Sequence, residues 1–248
     1  MTYVYLTALG VGGATVIGAL IGFLIKTENS RSSELVLAYA AGIMLAASVF
    51  TLVIPSTERA VSLFGGIGVG LTVLGLFIGA LCLTLLDKIT SKRKKKSAHA
   101  PGVAGSSSLL FILAIAIHNL PEGLAAGVSF GSGELTDTIL ISGSIALQNI
   151  PEGMVLIPPL VDEGFSRASA FLIAASTGLV EIIGTLLGYF AVNISEIILP
   201  FALSFAGGTM LYVIADDIIP RTHNGSPRMS TYLMLLGFAT MVVFDALL

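Results

Sequence analysis

The chain has 248 residues, of which 55% are hydrophobic and only 11% are charged, and its mean hydropathy is +0.96. A water-soluble domain of this size could not cover so apolar a composition with polar surface, so the composition excludes an ordinary soluble protein and predicts lipid around most of the chain. The formal net charge of -3 decides little, because the placement of Lys and Arg relative to the apolar segments carries the information in a membrane protein.

Apolar runs of about 20 residues, long enough to cross a bilayer core of about 30 Å as a helix, recur along the chain. They are long, continuous and rich in Gly and Ala, which favours helices over the alternating strands of a membrane β-barrel. We therefore predict an all-α, polytopic membrane protein with a single transmembrane domain over residues 1–248. The eight predicted transmembrane helices lie near 3–25, 34–55, 66–86, 108–130, 136–160, 167–190, 196–218 and 229–247.

Glycines at helical spacing in the first and third predicted helices indicate close approach of neighbouring backbones. We assign them a packing role and no chemistry. They are Gly10, Gly13, Gly18 and Gly22 in the first helix and Gly66, Gly70, Gly75 and Gly79 in the third.

The one long connection, residues 87–107, carries a basic run. KRKKK at 92–96 is followed by Gly, Ser, Ala and Pro, a composition that predicts a flexible cytosolic loop. With this loop inside, all of the 12 Lys and Arg residues except Arg59 fall on the inner side. That distribution follows the positive-inside rule and predicts that both termini face outward.

Three glutamates lie deep inside predicted helices: Glu122 in the fourth, Glu152 in the fifth and Glu181 in the sixth. A charged, unpaired carboxylate near the bilayer centre costs roughly 2.5 to 3.5 kcal/mol on insertion scales. No Lys or Arg falls at the same predicted depth. These acids therefore require a bound cation, a bound proton or a water-filled cavity.

Two of these glutamates belong to a repeated six-residue motif. HNLPEG begins at His118, and QNIPEG begins at Gln148. His118 and Glu122 lie four residues apart and share one helix face, as do Gln148 and Glu152. The proline in each motif removes a backbone N–H and clashes with the carbonyl four residues before it, which predicts a kink and an available carbonyl oxygen.

The two motifs lie on consecutive, antiparallel helices and should meet at the bilayer midplane. Their meeting brings one imidazole and two carboxylates together with the amide oxygens of Asn119, Gln148 and Asn149. Imidazole with carboxylates suits Zn²⁺ and other first-row divalent ions. Three helices precede this pair and three follow it, which predicts an inverted repeat in a 3+2+3 arrangement that offers one central site to both sides by turns.

HNLPEG and QNIPEG on adjacent spans of an eight-helix chain with both ends outward resemble the signature of the ZIP (zinc/iron permease) family of divalent metal transporters, particularly its bacterial and archaeal members. The resemblance covers essentially the whole chain and implies a binuclear metal centre. The implied ligands are His118, Glu122, Gln148 and Glu152 for the first metal, with the Met44 thioether nearby, and Asn119, Glu122, Glu152 and Glu181 for the second.

The resemblance also implies uptake into the cytoplasm, across the cell membrane, by an elevator-like movement of the first, fourth, fifth and sixth helices against the other four. Zn²⁺ is the expected substrate, and Fe²⁺, Mn²⁺ and Cd²⁺ are alternatives. Two features depart from the family pattern. Asn149 stands where some relatives carry Asp, which removes a charge from the second metal position, and the 87–107 loop has only His99 where many relatives are His-rich.

The predicted inner end of the seventh helix carries Asp216 and Asp217, followed by His223. These residues could form an exit site for the metal, or a solvated helix end in which the acids pair with Arg221. The KRKKK run is interpreted as a topology determinant that can also contact anionic lipid. We expect no nucleic-acid partner, and the chain could pair as a homodimer.

Two other functions would use the same ligands. An intramembrane metalloenzyme would activate a metal-bound water, but it would need a separate general base or nucleophile, and the chain has no HExxH or comparable arrangement. A metal-gated channel would give a flux that does not saturate at high metal concentration. We therefore predict a carrier rather than an enzyme.

Overall fold

A computed structural model describes residues 1–24, 30–96, 117, 119–132, 135–162, 164–190, 192–223 and 227–247. Within these residues all regular structure is helical, as the sequence predicts. His118, the first residue of the HNLPEG motif, lies outside the described residues, as does His99.

The helices are α1 (Thr2–Leu24), α2 (Ser30–Ala47), α3 (Ile54–Phe64), α4 (Ile67–Lys96), α5 (119–128), α6 (Leu135–Val155), α7 (Ile157–Asp162), α8 (Arg167–Phe190), α9 (Val192–Val213), α10 (Ile219–Thr222) and α11 (Pro227–Leu247). A 3₁₀ turn at Ser129–Ser132 follows α5. Helix α6 continues through Pro151 and ends four residues later.

Two π-helical turns lengthen the second and seventh predicted helices. Ser48–Val53 joins α2 to α3, and Ile214–Ile218 joins α9 to α10, so both helices continue past their predicted ends. Pro55 and Pro220 then occupy the first turn of the following helix. Proline is tolerated in the first turn of a helix, because the N–H groups of that turn have no acceptor within the same helix.

The predicted loop at 87–107 begins as a helix. Helix α4 runs to Lys96, so the prediction of an irregular chain is wrong for residues 87–96. Lys and Arg are good helix formers, and neither Gly nor Pro interrupts this stretch. The composition of this segment therefore did not predict its backbone conformation, which is helical up to Lys96.

The chain is a multi-pass membrane protein. Six helical segments of the described residues are long and apolar enough to cross a membrane: Thr2–Leu24, Glu34–Phe64, Ile67–Leu85, Arg167–Phe190, Ile197–Thr222 and Pro227–Leu247. Large apolar side chains such as Leu20, Phe77 and Leu236 are exposed on them, as expected of surfaces that face lipid. The count of eight stays a prediction, because the fourth span lies partly outside the described residues and the polar residues of α6 lower its hydropathy.

The helices form two closely packed groups. Helix α1 packs against α6 and α8, and α5 packs against α8; we term α1, α5, α6 and α8 the site bundle. Helix α2 packs against α11, and α4 packs against α3 and α9; we term α2, α3, α4, α9, α10 and α11 the scaffold bundle. Contacts also join the bundles, chiefly between α2 and α6.

Glycine permits the closest contacts inside each bundle. A Cβ added at Gly18 of α1 would overlap the carbonyl oxygen of Ile150 on α6, and one added at Gly42 of α2 would overlap that of Met234 on α11. Among the described glycines, each one whose Cβ would overlap a neighbouring helix backbone meets a helix of its own bundle. Tight backbone contact therefore holds each bundle together without joining the two.

Candidate metal site

The glycine that ends each motif fixes the position of its helix. A Cβ at Gly123 would overlap the carbonyl oxygen of Glu181 on α8, and a Cβ at Gly153 would overlap that of Thr15 on α1. Any larger residue would push these helices apart, as at other small-residue contacts between membrane helices. The two glycines therefore let α5 and α6 bring their polar residues close to Glu181.

Glu181 is completely buried and lies at the centre of a hydrogen-bond network. Asn119 Nδ2 donates to its Oε1 at 2.7 Å, and Asn149 Nδ2 donates to its Oε2 at 2.6 Å. Thr15 Oγ1 donates to the same Oε1 at 2.7 Å. The structure thus brings Asn119, Asn149 and Glu181 together and adds Thr15, which the sequence interpretation did not select.

The side-chain oxygens of both asparagines are left available. Asn149 Nδ2 also donates to the carbonyl oxygen of Val11 at 3.2 Å, and Asn119 Nδ2 lies 3.5 Å from that of Thr177. Carbonyl oxygens can only accept, so these contacts identify which amide atom is nitrogen. The buried Oδ1 atoms of Asn119 and Asn149 have no hydrogen-bond partner among the described residues. A buried unsatisfied acceptor costs about 1–3 kcal/mol, which a cation bound to these oxygens would relieve.

Gln148 is 1% exposed, and both polar atoms of its side chain are buried without a hydrogen-bond partner in the described part of the chain. It lies next to Asn149 and one turn before Glu152 on α6. An amide oxygen in this position can bind a hard or borderline divalent cation. Gln148 therefore adds a third available amide oxygen to the same region.

Glu122 and Glu152 are both fully buried. Glu122 lies next to Gly123, which packs against the backbone of Glu181, and Glu152 lies one turn after the asparagine of its own motif, which donates to the Glu181 carboxylate, so three acids from α5, α6 and α8 share one region. Among the described residues, no group of three or more His, Cys, Asp or Glu side chains is placed to hold a metal ion. The predicted ligand set differs from such a group, because it also includes amide oxygens and because His118 lies outside the described residues.

Met44 is buried on α2, which packs against α6. It therefore lies in the scaffold bundle, whereas the two motifs lie in the site bundle. Its role as a thioether ligand stays a prediction.

The predicted exit residues make local contacts. Asp217 Oδ1 accepts a hydrogen bond from Arg221 Nε at 2.9 Å and forms a salt bridge with the same guanidinium at 2.8 Å. His223 Nδ1 lies 3.0 Å from Thr222 Oγ1 and 3.0 Å from the carbonyl oxygen of Ile219. Asp216 is exposed in the π-helical turn. These contacts fit the alternative of a salt-bridged helix end, and the exit site stays a prediction.

A cavity of about 200 Å³ lies between the site bundle and the scaffold bundle, near the two motifs. Ala125, one turn after Glu122, and Ser144, one turn before Gln148, line it from the site bundle. The scaffold bundle contributes the side chains of Arg59 and Asp245. The cavity thus reaches from two charged side chains to within one helical turn of both motifs.

The sequence held a signal for Thr15 that motif analysis missed. Thr15 precedes Glu181 by 166 residues, and Gly12, Gly18 and Gly22 precede Gly178, Gly184 and Gly188 by the same separation. An alignment of the first predicted helix with the sixth would therefore have placed Thr15 at the position of Glu181.

Comparison with known proteins gives consistent matches. The family model described as ZIP Zinc transporter matches residues 87–245. Zinc transporter ZIPB of Bordetella bronchiseptica is 34% identical over 240 residues, covering 95% of this chain and 78% of that protein. Zinc transporter GufA of Myxococcus xanthus is 35% identical over 244 residues, covering 96% of each chain. Zinc transporter ZIP11 of Homo sapiens is 30% identical over 319 aligned residues, covering 94% of this chain and 93% of that protein.

Proposed function

Because the chain belongs to the ZIP zinc transporter family, we propose that it takes up Zn²⁺ into the cytoplasm through a site that the two motifs and Glu181 form between α5, α6 and α8. Members of this family are transporters of metal ions, so the metalloenzyme alternative is set aside. The observation that carries the site assignment is the pair of buried asparagine oxygens without hydrogen-bond partners among the described residues, in the region of three buried carboxylates.

The proposed site holds two metal positions. His118, Glu122, Gln148 and Glu152, with Met44, belong to the first, and Asn119, Glu122, Glu152 and Glu181 to the second. Asn149 adds a neutral oxygen where some relatives carry a carboxylate. Because one negative charge is missing there, the second position binds its ion more weakly than it would with Asp at 149.

An inverted repeat with both termini outside is the proposed architecture. In such a repeat the first three spans correspond to the last three, so a contact between the second and eighth spans has its counterpart between the seventh and third. The α2–α11 and α4–α9 contacts form such a pair. The π-helical turns before Pro55 and Pro220 form another, since they lie in the second and seventh spans.

Elevator-like movement of the site bundle against the scaffold bundle is the proposed transport step. The division of the helices matches the one that the resemblance implies, because α1, α5, α6 and α8 correspond to the first, fourth, fifth and sixth spans. Glycine-mediated backbone contacts lie inside each bundle. Side-chain contacts between bundles can exchange partners during sliding, whereas closely packed backbones cannot. This pattern therefore favours movement of the site bundle and the scaffold bundle as two separate rigid bodies.

The cavity beside the motifs is the proposed outer access route. In the proposed topology Arg59, Asp245 and the α5–α6 connection all lie on the outer side. Ala125 and Ser144 line the cavity on the side of the motifs that faces this connection. An ion that enters the cavity from outside would thus reach the first ligands after one more helical turn.

Arg59 places a positively charged guanidinium on that route. We expect Arg59→Gln to lower the KM for zinc uptake by about two- to fivefold, because local potential sets the concentration of cations in a cleft. Arg59→Lys, which keeps the charge, should retain the wild-type KM. The difference between the two variants should shrink as ionic strength rises; an equal KM for both at low salt would contradict this role.

The uptake assay decides the proposed function. Purified protein in liposomes that contain a fluorescent zinc indicator should give uptake that saturates with external Zn²⁺. Adding Fe²⁺, Mn²⁺ or Cd²⁺ outside would then rank these alternative substrates by how strongly each one inhibits zinc uptake. A flux that rises in proportion to Zn²⁺ without saturating would support a channel instead. Liposomes without protein set the background, and a wild-type rate equal to that background would refute transport.

A further inference from the structure

Helix α1 contributes to the site although it carries none of the proposed ligands. Thr15 is completely buried, and its Oγ1 donates to Glu181 Oε1 at 2.7 Å. One turn earlier on the same face, the carbonyl oxygen of Val11 accepts a hydrogen bond from Asn149 Nδ2 at 3.2 Å. Two successive turns of α1 thus hold a carboxylate and an amide of the proposed second metal position.

The Thr15 hydroxyl is one of three donors that hold the Glu181 carboxylate. Its Oε1 accepts from both Thr15 and Asn119, and its Oε2 accepts from Asn149. Without the hydroxyl, one donor would remain on each oxygen. The last torsion of a glutamate side chain has a broad energy minimum, so the carboxylate plane would then be less restrained.

The orientation of Glu181 in turn sets the direction of two amide oxygens. Asn119 and Asn149 anchor their Nδ2 atoms on Glu181, and each Oδ1 lies on the other arm of the same planar amide. A rotation of the carboxylate would therefore turn both Oδ1 atoms, which have no hydrogen-bond partner of their own among the described residues.

We infer that Thr15 is a positioning residue of the second metal position, which acts through Glu181 to hold the oxygens of Asn119 and Asn149 toward the transported ion. This inference rests on the proposed function, because it requires those oxygens to bind the ion. Outer-shell hydrogen-bond partners of metal ligands typically contribute 10- to 100-fold to affinity. The Thr15 hydroxyl belongs to this class of contact.

The packing around Thr15 allows its hydroxyl to be removed without changing the shape of the side chain. Gly153 and Gly178 lie against Thr15, since a Cβ at Gly153 would overlap its carbonyl oxygen and a Cβ at Gly178 would lie 3.3 Å from its own Cβ. Valine has the branched shape of threonine without its hydroxyl. Thr15→Val therefore keeps the contact with both glycines, whereas Thr15→Ser keeps the hydroxyl and removes only a methyl group.

The test compares the full-length wild type, Thr15→Val and Thr15→Ser by zinc titration calorimetry in detergent and by zinc uptake into liposomes. We expect Thr15→Val to raise the Kd of one of the two zinc positions and the KM for uptake by about tenfold, with Vmax and thermal midpoint near wild type. Thr15→Ser should restore both constants to within about twofold of wild type. A defect in packing alone would lower Vmax and the thermal midpoint and leave the zinc constants unchanged.

Wild-type zinc constants in Thr15→Val, or equal losses in Thr15→Val and Thr15→Ser, would overturn the inference while wild-type uptake still supports the proposed function. If Thr15→Val does not fold, Thr15→Ala carries the same expectation, because it also lacks the hydroxyl and leaves more space. A wild type that binds zinc but does not transport it would refute the proposed function alone, and the calorimetry would still decide the role of Thr15. A wild type that binds no zinc would overturn both.

Discussion

Zinc uptake by the double variant His118→Ala/Glu122→Ala is expected to lose its saturable component and to fall at least about 100-fold below wild type. The two residues lie four positions apart in the HNLPEG motif, and in the proposed site they supply the imidazole and a carboxylate shared by both metal positions. Removing an outer-shell partner already costs 10- to 100-fold in affinity or activity. Loss of two direct ligands should therefore leave Glu152, Glu181 and the amide oxygens, which are too few to hold the ion.

A matched control is available in the same chain. His99→Ala/Glu163→Ala removes the same two residue types outside the motifs and outside the predicted helices. This control should keep wild-type uptake. Both double variants should be compared at equal protein density in liposomes, with thermal unfolding measured in the presence and absence of zinc. Zinc should raise the midpoint of the wild type and the control but not that of the site variant; intact saturable uptake by the site variant would refute the assignment.

Gly18→Ala should lower the thermal midpoint of the detergent-solubilised protein by about 3–10 °C, since overpacking typically costs about 1–3 kcal/mol. The added Cβ would overlap the carbonyl oxygen of Ile150, so α1 and α6 would have to separate. That separation would also disturb the network around Glu181, because Thr15 and Asn149 lie on the same two helices. We therefore expect zinc affinity to fall together with stability.

Gly13→Ala is the control for this prediction. Gly13 lies on the same helix, and no atom of another helix in the described part of the chain lies within 4 Å of a Cβ added there. Alanine is the better helix former, so the control should unfold at or above the wild-type midpoint. Equal midpoints for the two variants would contradict the close contact between α1 and α6.

The glycine pattern shows what helical spacing can and cannot predict. The packing role predicted from spacing is confirmed for Gly18, Gly22, Gly75 and Gly79, but it is wrong for Gly10, Gly13, Gly66 and Gly70, beside which the residues that the structure describes leave open space. Gly12, which touches the backbone of Gly178, was not selected. Spacing identifies residues that share a face, whereas the face that meets a neighbour depends on the rotation of each helix in the bundle.

The motifs were the most informative part of the sequence. HNLPEG and QNIPEG identified the family, and the relatives and the family match confirm that identification. Consecutive antiparallel helices could be expected to bring Asn119 and Asn149 near each other because both lie at the same position of their motifs. Thr15 carries no motif of its own, and only the glycine pattern that the first and sixth predicted helices share relates it to Glu181, which lies 166 residues away.

The helical extension of α4 to Lys96 affects the proposed transport step. In the proposed topology, the five basic residues at 92–96 end a rigid rod that projects from the bilayer core into the zone of cytosolic head groups. Each Lys or Arg near an anionic leaflet contributes about 1 kcal/mol of attraction. Because α4 belongs to the scaffold bundle, this tether resists vertical displacement of that half, and anionic lipid content should influence how freely the other half travels past it.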